Sequence, residues 1–435
     1  MLEFEDQLIK RIFNRIIPFL MLCYFFAFLD RVNLGFAALE MNRQMSFDAA
    51  VFGLGAGIFF LGYLLFEVPS SLMQHQFGAR RWIASIVICW GLISAATAFV
   101  GSVNWISPQA QFYLVRFVLG VAEAGFFPGV VYYITLWFPQ AYRGRIFGLF
   151  FCVVPISAAI GAPISSAILG IDGLAGLRGW QWIFLLEATP AILLGIVTWL
   201  FLTDDPSKAT WLDKQERASL VQRLFAEQNA EPIAGGDGIL QVITNPKVIV
   251  LGIGGMGLVS GIYTIGFFLP QIVQEFGGTH LQTGLITAIP FLIGALGMIW
   301  YGRRSDRSSE CRKHTAFAFF VGAVGLTAAA LASAPLIKMA SICVAAFGIF
   351  AVMPVFWALP ATFLNGRNRA VGIASINTIA SVAGIVSPWA FGVIKDTTGR
   401  FDGGFLLMAA TMLVSAILVL QINPLPNQIA EVACD

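Results

Sequence analysis

The stretch IIPFLMLCYFFAFLDRVNLGFAAL, residues 16–39, decides the fold. It is apolar over almost its whole length, and at about 1.5 Å per residue it can cross the roughly 30 Å hydrocarbon core of a membrane. A secretory signal peptide is the alternative, but the run is too long for one and lacks a convincing cleavage site. We therefore expect a retained membrane-spanning helix.

The same pattern recurs along the chain. Hydrophobic residues make up 58% and charged residues 11%, with a mean hydropathy of +0.80, whereas soluble proteins have about 45–50% and 25%. A water-soluble core cannot bury that much apolar surface. Uninterrupted apolar runs predict twelve spanning helices, at 16–39, 52–73, 82–103, 111–138, 145–169, 182–202, 247–274, 281–301, 315–334, 339–364, 370–394 and 403–421.

One long polar segment interrupts this series after the sixth span. It divides the chain into an N-terminal six-helix bundle (1–203), a linker (204–245) and a C-terminal six-helix bundle (246–435). Within the linker, apolar residues recur at roughly helical spacing between 204 and 225, which predicts an amphipathic helix along the membrane surface. The following EPIAGGDG, 231–238, has the composition of a flexible tether.

The basic residues predict the orientation. Of the 26 Lys and Arg residues, 19 fall on the side that holds both termini, five on the other side and two inside predicted spans. Since Lys and Arg accumulate in cytoplasmic loops, both termini are expected in the cytoplasm.

The two halves also share a short pattern. FPQAYRGRIFG follows span 4 and FLNGRNRAVG follows span 10, and three positions correspond at a constant offset: Arg143 to Arg367, Arg145 to Arg369 and Gly148 to Gly372. With the six-plus-six count, this predicts an all-α membrane protein of two pseudo-symmetric bundles with a binding site between them.

The loop between spans 8 and 9, GRRSDRSSECRKH (302–314), has a Gly, an Asp-Arg pair and further basic residues. This pattern resembles the loop signature of the major facilitator superfamily, whose members have twelve helices. The loop between spans 2 and 3, QHQFGARRWI, is similar but lacks the Asp-Arg pair. The resemblance implies a structural or gating role for six residues: Gly302, Asp306, Arg307, Gly78, Arg80 and Arg81.

Three spans carry a narrower resemblance. They read FLDRVNLGFAALEMN (28–42), FGLGAGIFFLGYLLFEVPS (52–70) and RFVLGVAEAGFFPGVVYYITLWFP (116–139). They are similar to the anion:cation symporter branch, in particular to its tartrate-permease-like and aromatic-carboxylate members. This implies transport of organic anions with protons, a bacterial inner membrane and function as a monomer.

Four charged residues lie deep in predicted spans, Asp30 and Arg31 in span 1 and Arg116 and Glu123 in span 4. Charge at that depth is costly unless it is paired or faces a cavity. Arg31 and Arg116 are predicted to bind the substrate carboxylate, because guanidinium offers paired donors. Asp30 and Glu123 are predicted to carry protons, roles that the resemblance also implies. The alternative is a structural charge network that locks the two helices together.

The family's central cavity suggests three further substrate-binding residues, Tyr63, Trp357 and Asn377. Ordinary aromatic packing is an equally good account of Tyr63 and Trp357, and interhelical packing of Asn377. For Glu67 and Glu187, which also interrupt apolar runs, structural roles are preferred.

The sequence thus predicts a proton symporter that imports a small mono- or dicarboxylate: a tartrate-like hydroxy acid, a sugar acid or an aromatic acid. An anion exchanger or uniporter on the same fold remains open. The sequence has no metal-binding histidine motif and no phosphate-binding loop. It therefore gives no support to a membrane enzyme or to direct ATP hydrolysis, and we expect no cofactor and no nucleic-acid partner. Short tails likewise give no support to a non-transporting sensor.

Overall fold

The structure is a computed structural model that describes residues 2–230, 239–308, 310–364 and 366–422. Regular structure within these residues is helical throughout. Its α-helices are α1 (Leu2–Met45), α2 (Ala49–Phe77), α3 (Ala79–Thr97), α4 (Pro108–Glu123), α5 (Phe126–Trp137), α6 (Gln140–Leu169), α7 (Gly179–Phe201), α8 (Lys214–Ala230), α9 (Ile239–Ile243), α10 (Pro246–Gln274), α11 (His280–Asp306), α12 (Cys311–Leu331), α13 (Pro335–Ala358), α14 (Gly366–Thr398) and α15 (Asp402–Leu420).

Twelve segments of the described chain are long and apolar enough to span a membrane, six before α8 and six after α9. The predicted number of spans is therefore confirmed. The first span is longer than predicted, because α1 begins at Leu2 and not near residue 16. Its basic residues do not end the helix: Arg11 pairs with Glu216 at 2.8 Å, and Arg15 lies over the ring of Trp211 at 4.8 Å.

The fourth span was predicted as one helix but consists of α4 and α5, separated at Ala124 and Gly125. Pro128 accounts for the break, since it has no N–H to donate to the carbonyl of Ala124 four residues earlier. The break lies one residue after Glu123, so it separates the charged residues of this span from its second half.

The two bundles meet closely at one rim, formed by the end of α1, the start of α2 and the end of α14. We call it the outer rim, after the orientation that the basic residues predict. A Cβ on Gly53 of α2 would lie 2.2 Å from the carbonyl oxygen of Pro388 in α14, so only glycine permits this approach. Asp396 of α14 accepts hydrogen bonds from the backbone N–H groups of Ala49 (3.0 Å) and Ala50 (2.7 Å) at the start of α2. The outer rim is therefore closed.

The linker helix α8 packs on the N-terminal bundle. Trp211, just before α8, stacks on Trp137 with the ring centroids 5.4 Å apart, and Leu220 is buried. Glu227 accepts a hydrogen bond from the backbone N–H of Gln140 at 3.0 Å. Phe225 stays exposed, and its contact with a membrane surface remains a prediction. The predicted tether, 231–238, lies outside the described residues.

Candidate transport site

Asp30 and Arg31 are neighbours on α1 whose side chains have different surroundings. The Asp30 side chain is buried, and its Oδ1 accepts hydrogen bonds from Ser94 Oγ of α3 and from Asn33 Nδ2, the latter at 3.3 Å. Arg31 instead reaches α4 and α10. Consecutive residues on a helix point about 100° apart, as 3.6 residues per turn require, so the two charges do not neutralise each other.

Arg31 connects the two bundles. Its Nη2 lies 2.7 Å and its Nε 2.9 Å from Glu123 Oε1 of α4, and its Nη1 donates to the hydroxyl of Tyr263 in α10 at 2.8 Å. The rings of Phe28, Phe59 and Tyr63 surround the guanidinium at 5.1–5.5 Å. Arg31 is thus held by one ion pair, one phenol from the other bundle and three aromatic faces.

Arg116 lies on the same face of α4 as Glu123, two turns away, and is 1% exposed. Its guanidinium carbon lies 5.0 Å from the centre of the Phe59 ring, and it interacts electrostatically with both Asp30 and Glu123. Its Nε and Nη2 have no hydrogen-bond partner among the described residues, and neither does Glu123 Oε2. A buried guanidinium with two unpaired donors is costly. These two N–H groups have the geometry to donate to a carboxylate.

A cavity lies beside Arg31 between the bundles. It is lined by Arg31 and by apolar or aromatic residues from both bundles: Phe28, Val32, Val154, Ala158, Ile262, Tyr263, Gly266, Phe267, Phe291 and Phe350. It leaves about 10 Å³ for the centre of a water molecule, close to the minimum that holds one water. Nothing larger than a water molecule fits into this cavity unless its walls separate.

The three other predicted binding residues are placed differently from one another. Tyr63 joins the site, with its ring facing Arg31. Asn377 of α14 instead donates a hydrogen bond to Glu67 Oε1 of α2 at 3.3 Å, and Trp357 of α13 packs edge to face on Phe356 at 5.4 Å. The structure thus brings Tyr63 to the charged cluster, while the contacts of Asn377 and Trp357 lie elsewhere.

Four polar residues near the cluster were not among the predicted site residues. Tyr263, Ser94 and Asn33 bind its charged members, and Glu187 of α7 is 4% exposed. Asn33 follows Asp30 by three residues, a spacing that puts both on one helix face and could have identified it. Ser94 and Tyr263 lie far away in sequence and gave no such signal.

The two signature loops lie away from the cluster. Gly78 has φ +85°, and a Cβ there would lie 2.9 Å from Asp204 Oδ1, an oxygen that also accepts from the Arg80 backbone N–H at 3.0 Å. Asp204, which follows α7, thus supplies a carboxylate to a loop that lacks the Asp-Arg pair. Arg81 is exposed.

In the second loop, Gly302 faces Pro354 at ordinary contact distance, 3.6 Å from an added Cβ. Steric demand in this structure therefore does not require a glycine there. Arg307 is exposed at the end of α11. The side chain of Asp306 lies outside the described residues, as do those of Arg367 and Arg369.

Comparisons with known proteins give the family. The family model described as Major Facilitator Superfamily matches residues 20–388 and 251–431. A protein of Agrobacterium vitis named "Putative tartrate transporter" is 44% identical over 96% of this chain and 92% of its own length. The "Quinolone resistance transporter" of Acinetobacter baumannii is 37% identical over 96% and 95%.

A solved structure agrees at the level of the fold. The D-xylose-proton symporter has a TM-score of 0.73 at 16% identity, covering 94% of this chain and 98% of that one. The expected major-facilitator fold of two six-helix bundles is confirmed, and the chain is a multi-pass membrane transporter and not an enzyme. On the matched family model and these relatives, the chain belongs to the major facilitator superfamily.

Proposed function

We propose that this transporter imports a small carboxylate together with protons. The observation that carries the proposal is the buried guanidinium of Arg116 beside the Arg31–Glu123 pair, whose Nε and Nη2 have no hydrogen-bond partner among the described residues. Two parallel N–H donors match the two oxygens of a carboxylate. The relative named as a tartrate transporter supports a hydroxy acid as the first substrate to test.

Charge balance supports coupling to protons. Arg31 and Arg116 are two cations, and Asp30 and Glu123 are two carboxylates, so the ionised cluster is neutral. A substrate carboxylate adds a negative charge to a site shielded from water, where an unbalanced charge is expensive. A proton on Glu123 or Asp30 restores neutrality. Anion and proton therefore bind together, and a dicarboxylate balances one proton on each residue.

The ion pair gives a route for this exchange. Glu123 occupies Arg31 through Oε1, and a protonated Glu123 binds Arg31 more weakly, since its negative charge is gone. A substrate carboxylate then replaces it on Arg31 while its other oxygens reach Arg116. Loss of the proton returns Glu123 to Arg31 and displaces the anion. In this scheme the ion pair is a working part of the cycle and not only a lock between α1 and α4.

Access alternates by rocking of the two bundles about this central site. The closed outer rim fits a state in which the outer path is shut. We place the protein in the inner membrane of a bacterium with both termini in the cytoplasm, and we take one chain as the functional unit.

The test is uptake of radiolabelled tartrate into proteoliposomes with and without an inward proton gradient. Wild type should accumulate tartrate only with the gradient. Asp30→Asn and Glu123→Gln should lose accumulation but keep exchange of internal for external tartrate, because neither variant removes an arginine. Glu275→Gln, which alters an ion pair with Lys395 within the C-terminal bundle, is the control and should transport like wild type.

Other results would change the assignment. Uptake that ignores the gradient, with both variants still accumulating tartrate, would replace symport by exchange or uniport. Export of a quinolone with no tartrate transport would replace tartrate import by quinolone export, as the name of the Acinetobacter relative suggests.

A further inference from the structure

The two bundles pack against each other along a seam formed by α2 and α14. The two helices run antiparallel, and glycine permits a close approach at four successive levels, because an added Cβ at each would overlap the facing residue. From the outer rim inward, these contacts are Gly392 with Ala49, Gly53 with Pro388, Gly57 with Ile385 and Gly384 with Phe60. The outer part of the seam is therefore held by tight, apolar packing.

The seam changes character inward of Phe60, on the side away from the outer rim. The next glycine of α2, Gly62, and the next described glycine of α14, Gly372, both face neighbours in their own bundles. In this part the two helices are joined by a polar contact instead, since Asn377 Nδ2 donates to Glu67 Oε1 at 3.3 Å. Glycine packing on the outer side is thus followed by a hydrogen bond on the inner side.

The polar contact lies inward of the charged cluster. Tyr63, whose ring faces Arg31 at 5.5 Å, precedes Glu67 by four residues, so the two share one face of α2 about 6 Å apart along its axis. Because α2 runs inward from the outer rim, Glu67 is the more inward of the two. The hydrogen bonds of Asp396 at the outer rim and the bond from Asn377 to Glu67 therefore join the bundles on opposite sides of the cluster.

The two parts of the seam differ in how easily they separate. Loss of the glycine contacts forfeits close packing that water does not replace. Glu67 and Asn377 are only partly buried, so water can take the place of each partner when their bond breaks. Pro69, two residues after Glu67, has no N–H for the carbonyl of Leu65, and α2 can bend there. The seam is thus built to open at its inner part.

We infer that Glu67 and Asn377 form the inner gate of this transporter: their hydrogen bond closes the site on its inner side and breaks when the transported anion leaves. The inference rests on the proposed function, in which the two bundles rock about the charged cluster. It gives Asn377 a role different from the substrate binding that the sequence predicts. Breaking the bond lets the inner part of the seam open while the glycine contacts of the outer part remain.

Loss of either side chain should open the inner side in the absence of substrate. Spin labels at Phe77, exposed at the inner end of α2, and at Arg303, exposed in the last turn of α11, report the inner distance between the bundles. Glu67→Met and Asn377→Leu keep roughly the size of each side chain but remove the hydrogen bond. In each variant the ratio of long to short inner distances should rise about tenfold, the effect expected for loss of a hydrogen bond to a charged group.

Exchange of the two side chains distinguishes a bond from two independent effects. Glu67→Asn together with Asn377→Glu puts the amide on α2 and the carboxylate on α14, where they can form the same bond in the opposite direction. This double variant should return towards the wild-type ratio of distances. Glu67→Met together with Asn377→Leu should open no further than either change alone, since both remove one shared interaction. Ser375→Ala is the matched control, because the Ser375 hydroxyl bonds within α14, to the carbonyl of Val371 at 2.8 Å, and its ratio should equal that of wild type.

Unchanged inner distances in Glu67→Met and Asn377→Leu would overturn the inference. So would an exchanged pair that leaves the inner side as open as the single variants do. If Asn377→Leu does not fold, Asn377→Ala takes its place, since it removes the amide without adding bulk, and the same outcomes apply. Loss of tartrate binding in the Asn377 variant with no change in the inner distance would also reject the gate and would support substrate binding by Asn377.

The two proposals fail in different ways, because the distances are measured without tartrate and without a proton gradient. Wild-type uptake that ignores the gradient rejects proton symport and leaves the result on the gate intact. Gradient-driven uptake of tartrate, with inner distances that neither Glu67→Met nor Asn377→Leu changes, rejects only the inference about the gate.

Discussion

The interiors of the two bundles differ in how their polar groups are satisfied. The N-terminal bundle buries Asp30, Arg116, Glu123 and Glu187, each at most 4% exposed. The buried polar side chains of the described C-terminal bundle are all hydroxyls: Ser260, Thr264, Thr283, Thr287, Ser305, Thr315, Ser341 and Ser415. Charge that could bind an anion or a proton in the interior is therefore concentrated in one bundle.

Three of these eight hydroxyls bond only within their own helix. Thr315, Ser341 and Ser415 each donate to the carbonyl four residues earlier, at 2.8–2.9 Å. Arg31 and Asp30 instead have partners on other helices. Buried charged groups thus join the N-terminal helices to one another, while the ion pairs between C-terminal helices, Lys338–Asp402 and Lys395–Glu275, lie at the helix ends. We expect the C-terminal bundle to act as a moving wall, and among the described residues its polar contact with the cluster is Tyr263.

The largest expected effect comes from Arg116→Ala. It removes the guanidinium with unpaired donors, so tartrate binding should weaken by about 3 kcal/mol, roughly 100-fold in Kd. Calorimetric titration of the purified protein would measure this. Arg116→Lys keeps the charge but not the paired donors. Its Kd for tartrate should therefore lie between those of wild type and Arg116→Ala. If Arg116→Ala bound tartrate with the affinity of wild type, Arg116 would not be the residue through which the N-terminal bundle binds the anion.

Tyr263→Phe should have the next largest effect. It removes the hydroxyl bound to Arg31 at 2.8 Å and leaves the ring in place, and a hydrogen bond to a charged group contributes about 1.5–3 kcal/mol. We expect roughly a tenfold loss in tartrate uptake rate. Tyr113→Phe, at a half-buried tyrosine of α4, is the control. An unchanged rate would mean that the C-terminal bundle supplies only shape.

Asp396→Ala tests the rim where the bundles meet. It removes the acceptor for two backbone N–H groups of α2, so the closed outer rim should lose about 1 kcal/mol relative to the open one, roughly a fivefold shift in population. Distances between spin labels at Trp105, exposed in the loop between α3 and α4, and Leu336, exposed in the first turn of α13, would measure it.

The control for Asp396→Ala is Asp48→Ala. Asp48 accepts a hydrogen bond from the backbone N–H of Val51 at the same end of α2, but it belongs to the N-terminal bundle itself. Its label distances should match those of wild type. Equal distances in wild type and both variants would mean that glycine-mediated packing alone holds the rim closed.

The smallest effect is expected from Thr315→Val in the C-terminal bundle. Its hydroxyl bonds only within its own helix, to the carbonyl of Cys311, and valine has nearly the same shape. The free energy of unfolding should change by less than about 1 kcal/mol, and tartrate uptake should stay at the wild-type rate. A large loss of uptake would mean that polar side chains of the C-terminal bundle take part in transport.

The sequence by itself determined the spans, because a helix that must satisfy its backbone in lipid needs a long apolar run, which is a local property of the chain. It also indicated which buried residues are charged. It predicted span 4 as a single run with a kink at Pro128, and not as two helices separated after Glu123. It assigned Arg31 to the substrate without its partner Glu123, and it left Asp204 out of the inner loop.

Only the tertiary structure decided which charged side chains pair with each other. Arg31 lies 92 residues from Glu123 and 232 residues from Tyr263 along the chain, and the rotation of each helix about its axis selects the partners. The same packing leaves two donors of Arg116 without partners among the described residues and bonds Asn33 to Asp30. Hydropathy fixes how a helix crosses the membrane, but side-chain contacts between helices fix the direction in which each charge points.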